Sequence, residues 1–161
     1  MSLVDPPPVE RVREVLAAKG DRERIIERTE PAATAADAAR ALGVALGAIT
    51  KPLLLETGFD PALVAIAGDR RCREGRLPEL FDLEGDVRRA DAERGKKITG
   101  FPIGGVAPVG SLTPLPPVID RGLGRFPRIC AAAGHPRCVF ETEFDELLHL
   151  TGGKPSDEIS E

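Results

Sequence analysis

Between residues 9 and 19 the apolar side chains fall at Val9, Val12, Val15 and Leu16, the three-to-four spacing of a single helical stripe. Prolines precede it and Gly20 follows it, which suits the entry and the stop of a helix. Residues 24–28 alternate around Ile25 and Ile26 before Pro31 and read as a short strand. Thr34, with Asp37 three residues on, makes a capping-box-like start for a helix whose face, Ala38, Ala39 and Leu42, is small enough to pack tightly on a sheet before Gly43 ends it. After one helical turn at 47–50, the apolar runs at 53–55 and 63–67 read as a hairpin around the turn-forming residues 57–61.

From 68 to 97 the chain is charged and less periodic. Leu77, Leu80 and Phe81 predict a short helix, Asp91 predicts the cap of another ending near Thr99, and this middle region is expected to be helical and exposed. Residues 100–117 hold Gly100, Gly104, Gly105 and Gly110 together with five prolines, so neither helix nor central strand continues through them. Short strands follow at 118–120, 128–133 and 137–141. Thr142 is expected to cap a last helix to Leu150, with Asp145 at the capping-box position. One domain is expected over 1–151, with 152–161 a polar, frayed tail.

Composition narrows the possible functions. A chain of 161 residues, 42% hydrophobic and 30% charged, has globular rather than disordered composition. With Trp 0, Tyr 0 and Phe 6 it offers few aromatic platforms on which successive bases could stack. Lys+Arg 22 against Asp+Glu 26 leaves a net charge of −4, so any contact with nucleic acid must be local and modest. Cys72, Cys130 and Cys138 are an odd number without a pairing pattern and read as free thiols, which favours a reducing compartment. The opening MSLVDPPPVE is not a secretory leader and no apolar run approaches membrane-spanning length, so a cytoplasmic protein without a membrane partner is expected.

The stretch 99–110, Thr-Gly-Phe-Pro-Ile-Gly-Gly-Val-Ala-Pro-Val-Gly, carries the most chemical information. Its glycines let backbone N–H groups approach a ligand and its prolines hold the loop at low entropic cost, although Phe101, Ile103, Val106 and Val109 would equally tuck a plain connection onto the core. No Lys-Ser or Lys-Thr follows the glycines, which disfavours a nucleoside triphosphate site. Lys51 stands at the start of an apolar strand, where its ammonium either holds a phosphate or carbonyl as a point charge or simply reaches water. Cys130, His135 and Cys138 lack zinc-site spacing and a fourth ligand, so no metal and no cofactor are expected. Serines are too few and too scattered for a hydrolytic triad. Cys72 lies among Arg70, Arg71 and Arg73, charges that would favour a thiolate. Together with Arg88, Arg89, Lys96 and Lys97 these arginines form the best landing place for a phosphate backbone.

Four blocks, 34–44, 47–51, 67–71 and 99–110, occur in an order that strongly resembles the YbaK/ProX family, free-standing relatives of the editing domain inserted in bacterial prolyl-tRNA synthetase. The likeness runs from about residue 9 to residue 151. It implies an α/β (α+β) fold, a curved, mixed, barrel-like sheet flanked by helices, and trans-editing, the hydrolysis of the ester joining a wrong amino acid to tRNA. The family's essential lysine matches Lys51, which implies a role in positioning the acylated terminal adenosine. Its Gly-x-x-x-Pro loop matches Gly104, Gly105, Val106, Ala107 and Pro108, which with Gly134 and His135 are the expected substrate-binding residues. Water or a substrate group attacks, so the absence of a triad fits. The chain departs from the family pattern at Pro52, where Thr or Ser is usual, and at 72–75. The expected partners are mischarged tRNA and an aminoacyl-tRNA synthetase. The expected activity is a deacylase for a small residue, Ala, Ser, Thr or Cys, since Gly104, Gly105 and Ala107 leave little bulk in the loop. Two alternatives are a catalytically silent tRNA-binding or synthetase-associated module and a redox-responsive thiol protein built on Cys72.

Overall fold

Residues Ala62–Ala67 form a strand, β3, in which no polar residue interrupts the apolar run, and such a strand is stable only when both its faces are covered. In the computed structural model, which describes residues 7–19, 25–29, 34–56, 61–80, 87–102 and 104–161, all six residues of β3 are buried. Its antiparallel partner is β2, Thr50–Glu56, with Thr50 opposite Ala67 and Leu55 opposite Ala62. The hairpin therefore forms as expected, its first strand starting three residues earlier, at Thr50; the tip at 57–60, like Pro31, Phe81 and Ile103, lies outside the described residues.

Around this hairpin a five-stranded sheet runs in the order β4-β2-β3-β5-β8, where β4 is Arg88–Arg89, β5 is Val118–Asp120 and β8 is Lys154–Ser156. β5 and β8 are parallel to β3 and to each other. A three-stranded antiparallel sheet has the order β1-β7-β6, with β1 at Ile25–Glu27, β6 at Ile129–His135 and β7 at Cys138–Thr142. One bridge, Ile49 to Cys130, joins the two sheets. The mixed α/β fold is thus the expected one, but the sheet does not close into a barrel.

Two layers of core follow from the alternation of side chains along β2 and β3. Ala65 and Ala67 face a first core that holds Val9, Val12 and Leu16 of α1 (Pro7–Lys19), Ile129 and Ala131 of β6, Phe140 of β7, and Leu147 and Leu150 of α5 (Phe144–Thr151). Leu55, Val64 and Ile66 face a second core with Leu77, from the short helix α3 (Leu77–Leu80), and Ile159. The small face of α2 (Ala35–Leu42) packs on Ile49 and Cys130 as a third cluster. Thr34 caps α2 by accepting from the Asp37 N–H at 3.1 Å, and Asp91 caps α4 (Ala92–Thr99) by accepting from the Arg94 N–H at 2.8 Å.

Three expectations are corrected. The last helix starts at Phe144, and its cap residue, Glu143, makes no side-chain cap hydrogen bond; Thr142 Oγ1 instead donates to Glu146 Oε1 at 2.6 Å. The 152–161 segment is not a frayed tail. β8 extends the sheet, Ile159 is fully buried, and residues 71–73 pair with 159–161 through Arg71 and Glu161, whose N–H groups each donate to the other's carbonyl at 2.9 Å. The middle region is less helical and less exposed than its charge suggests, since it contains β4 and sends the fully buried Leu77 into the second core.

Candidate functional site

A cavity of about 440 Å³ opens along the edge of β2. β4 pairs with β2 only at Leu55 and Glu56, so the stretch through Pro52 has an open edge, the place in a sheet where a residue without an N–H is tolerated. α2 supplies one wall through Ala35, Ala38 and Leu42, and the start of α4 supplies another through Asp91, Gly95 and Lys96. Cys130 to Ala132 of β6 form the back, and Phe101, Gly104 and Val106 come from the Gly/Pro loop. The volume lies within the roughly 300–1,000 Å³ of small-molecule sites.

The loop is held by the first core and by its own backbone. Phe101, Ala107 and Val109 are buried in that core, and the Arg11 guanidinium lies 5.1 Å from the Phe101 ring centroid. Gly105 donates to the Pro102 carbonyl and accepts from the Gly134 N–H, both at 2.9 Å. A Cβ on Gly105 would stand 2.7 Å from the His135 nitrogen, so this close backbone approach requires glycine. Gly134, at φ 96, is the matching requirement on the hairpin side.

Lys51, Gly104 and Val106 therefore border one cavity, while Gly105, Ala107, Pro108, Gly134 and His135 do not line it. Gly105, Gly134 and His135 stand behind the loop and fix it. His135 Nδ1 accepts from the Arg137 N–H at 3.1 Å, a contact that shapes the β6–β7 turn. Ala107, expected to limit substrate size, is 1% exposed and packs into the first core instead.

Lys51 pairs with Ile66, on the side of the second core, and its Nζ donates to the Arg70 carbonyl at 2.5 Å. Arg70 is in turn placed by Asp120, whose buried carboxylate accepts from the Ala67 N–H at 3.0 Å and the Gly122 N–H at 2.9 Å and lies 3.8 Å from Arg70 Nη1. The partner of this ammonium is a neutral carbonyl, and Lys51 forms no ion pair among the described residues.

The seven candidate phosphate-binding cations separate into two groups. Arg88, Arg89, Lys96 and Lys97 lie on β4 and α4, with Arg89 and Lys96 lining the cavity. Arg70, Arg71 and Arg73 lie next to the chain's last residues, where Arg73 Nε is 3.6 Å from Glu161. Arg89 is paired with Glu74 at 2.8 Å.

Cysteine chemistry does not develop as the flanking arginines suggest. Cys72 is half-buried against the second core, and burial, with the Glu74 carboxylate, pushes its thiol up, away from the thiolate form. That corrects the reading of Cys72 as an activated thiol. Cys130 lines the cavity, but burial and then Glu141 push it up to about 11, so it is no nucleophile at neutral pH. Among the described residues no group of three metal-ligating side chains gathers, and no helix is long and apolar enough to cross a membrane.

On the walls from α2 and α4, Lys96 is read from the sequence as a site residue, but Ala38, Leu42 and Gly95 are not. These three carry no chemical signature; only the expectation that the small face of α2 packs on a sheet pointed toward them.

Against known proteins, the model of the aminoacyl-tRNA editing domain matches residues 29–150. A solved structure of a candidate trans-editing enzyme for prolyl tRNA synthetase is 36% identical, with a TM-score of 0.87 over 96% of this chain and 98% of that one. A structure from work on epitope grafting onto scaffold proteins is 34% identical, with a TM-score of 0.88 over 97% of this chain and 99% of that one. A third, of a hypothetical protein, is 32% identical, with a TM-score of 0.84 over 94% of this chain and 99% of that one. No curated protein is significantly similar to the chain.

Proposed function

The chain belongs to the aminoacyl-tRNA editing domain family and is an aminoacyl-tRNA deacylase, and on that premise we propose that it acts in trans on tRNA carrying a small wrong amino acid of the Ala, Ser, Thr and Cys class. The observation that carries this reading is the meeting of Lys51, Gly104 and Val106 at one cavity whose rim holds Arg89 and Lys96. In this reading the aminoacyl group enters along the open edge of β2, and the terminal phosphates face the cations of β4 and α4. Lys51 exchanges the Arg70 carbonyl for an oxygen of the acylated adenosine and stabilises the charge that develops there. Water adds to the ester carbonyl, the bond to the ribose oxygen breaks, and that oxygen leaves with a proton. No side chain forms a covalent intermediate, in keeping with the high thiol pKa of Cys130. Mischarged tRNA and an aminoacyl-tRNA synthetase are the proposed partners, and the cytoplasm, where charged tRNA is used, the proposed compartment.

The test is deacylation of Ala-, Ser-, Thr-, Cys- and Phe-charged tRNA side by side. The small residues are all expected to be removed, at rates graded within about two orders of magnitude because a hydrophobic pocket discriminates by only about 1–3 kcal/mol per methylene, with Phe rejected. A preference for Phe overturns the small-residue reading, and tRNA binding without any hydrolysis replaces the enzyme by a silent binding module. Lys51→Ala is expected to lower kcat/KM by about 10²-fold or more at unchanged Tm. Wild-type rates in that variant would remove Lys51 from the mechanism.

A further inference from the structure

Thr50, the first residue of β2, is 6% exposed, and its Oγ1 is buried without a hydrogen-bond partner among the described residues. A buried hydroxyl that makes no hydrogen bond is costly, and valine would fill the same volume in a strand without that cost. Thr50 also lines the cavity. Strand alternation sets it, with Pro52 and Leu54, on the face opposite Lys51, opposite Ala67 in the neighbouring strand. Around this end of the cavity the walls are apolar, formed by Ile49, Cys130, Ala131, Ala38 and Leu42. Arg89 and Lys96 belong to the other end, since Gly95, next to Lys96, lies against Leu54 and Arg89 pairs with Leu55, five residues and roughly 17 Å along β2 at about 3.3 Å per residue. A ligand spanning the cavity with its charged part at Arg89 and Lys96 thus brings its far end to a hydroxyl that has nothing else to bond.

We propose that Thr50 Oγ1 is a specificity-determining contact that selects aminoacyl side chains bearing a hydroxyl, Ser and Thr, over the apolar side chains that lack it, Ala and the Thr isostere Val. The inference rests on the deacylase reading for its substrate and names a narrower class within it. A site built to hydrogen-bond a substrate group rejects the analogue that lacks it, because the protein's own polar atom then stays unpaired.

The experiment compares wild type, Thr50→Val and Thr50→Ser on Ser- against Ala-charged tRNA and on Thr- against Val-charged tRNA. Expected is a preference of about tenfold or more for the hydroxylated member of each pair in wild type and Thr50→Ser. Thr50→Val is expected to lose it through slower removal of Ser and Thr, with Ala and Val rates held within about threefold and Tm unchanged or raised, since the substitution removes an unpaired polar atom. Three results overturn the proposal: no preference in wild type, an equal loss on all four substrates, or a Tm that falls by several degrees in Thr50→Val, which would make the hydroxyl structural. Binding of non-hydrolysable 3′-seryl- and 3′-alanylamido-adenosine separates this proposal from the deacylase reading. Thr50-dependent discrimination in binding without hydrolysis of any charged tRNA retires the reading and keeps the proposal, whereas equal binding of both analogues by wild type and Thr50→Val retires the proposal whatever the hydrolysis.

Discussion

An ammonium held by a carbonyl is easier to recruit than one held by a carboxylate, because giving up a neutral partner costs far less than separating an ion pair in a partly buried site. Lys51 is in that position, and the side chain of the same Arg70 lies 3.8 Å from the buried Asp120 carboxylate. The sequence marks the lysine as a lone charge at the head of an apolar strand, and the family resemblance alone gives that charge a role. Thr50 is not marked, because a threonine entering a strand has no distinguishing pattern until burial and missing partners are known. Ala107 misled for a related reason: a small residue in a glycine loop reads as room for substrate, and here it is room for the core. Ala107→Leu is therefore expected to overpack the first core, costing about 1–3 kcal/mol and lowering Tm by several degrees, while the ratio of rates on two accepted substrates stays fixed. Val106→Leu, at a cavity wall, is expected to shift that ratio against the larger substrate. Thermal melts beside paired deacylation rates separate the two outcomes, and a ratio that moves with Ala107 would return that residue to the pocket.

Elements announced by local chemistry were legible, and those defined by distant partners were not. The Thr34 and Asp91 caps bond the N–H groups three residues on, so sequence alone places α2 and α4. β4 has two exposed arginines, and β8 contains a proline between polar residues; both are strands only because β2 and β5 offer them an edge. The turn after β3 is also fixed from afar, by Asp69 accepting from Arg125 Nη1 at 2.9 Å and Nη2 at 2.6 Å. Those hydrogen bonds hold the Asp69 carboxyl below its ordinary range. A depressed folded-state pKa contributes stability above the unfolded value of about 3.9 and loses it as pH falls through the folded value. Asp69→Asn is accordingly expected to lower stability at neutral pH by no more than about 1 kcal/mol, as befits a partly exposed pair, and Tm with it. The difference from wild type should shrink as pH drops below about 4, traced by melts from pH 7 to pH 3; a constant difference across that range would show that the carboxylate's charge is not what ties the turn.

Across the whole molecule, the fold class followed from ordered blocks of sequence, but the distribution of charge did not, because pairing depends on which acids the fold brings near each base. Of the seven candidate cations, Arg70, Arg73 and Arg89 are engaged by Asp120, Glu161 and Glu74. Arg71, Arg88, Lys96 and Lys97 are exposed and form no ion pair among the described residues, and the last three share the β4 and α4 side of the cavity. On a protein of net charge −4 that leaves only a small cationic surface for the proposed tRNA contact. Each phosphate neutralised contributes about −0.7 to −0.9 to the slope of log affinity against log salt. Three or four contacts therefore give a slope of roughly −2 to −4. Lys96→Ala and Lys97→Ala are each expected to weaken binding of all tRNAs alike and to reduce the slope by somewhat less than one. Arg73→Ala is expected to leave it unchanged, because Glu161 already answers that charge. Titrations at several salt concentrations check this, and either a salt-insensitive affinity or a slope that responds to Arg73 instead of Lys96 would move the contact away from the cavity's rim.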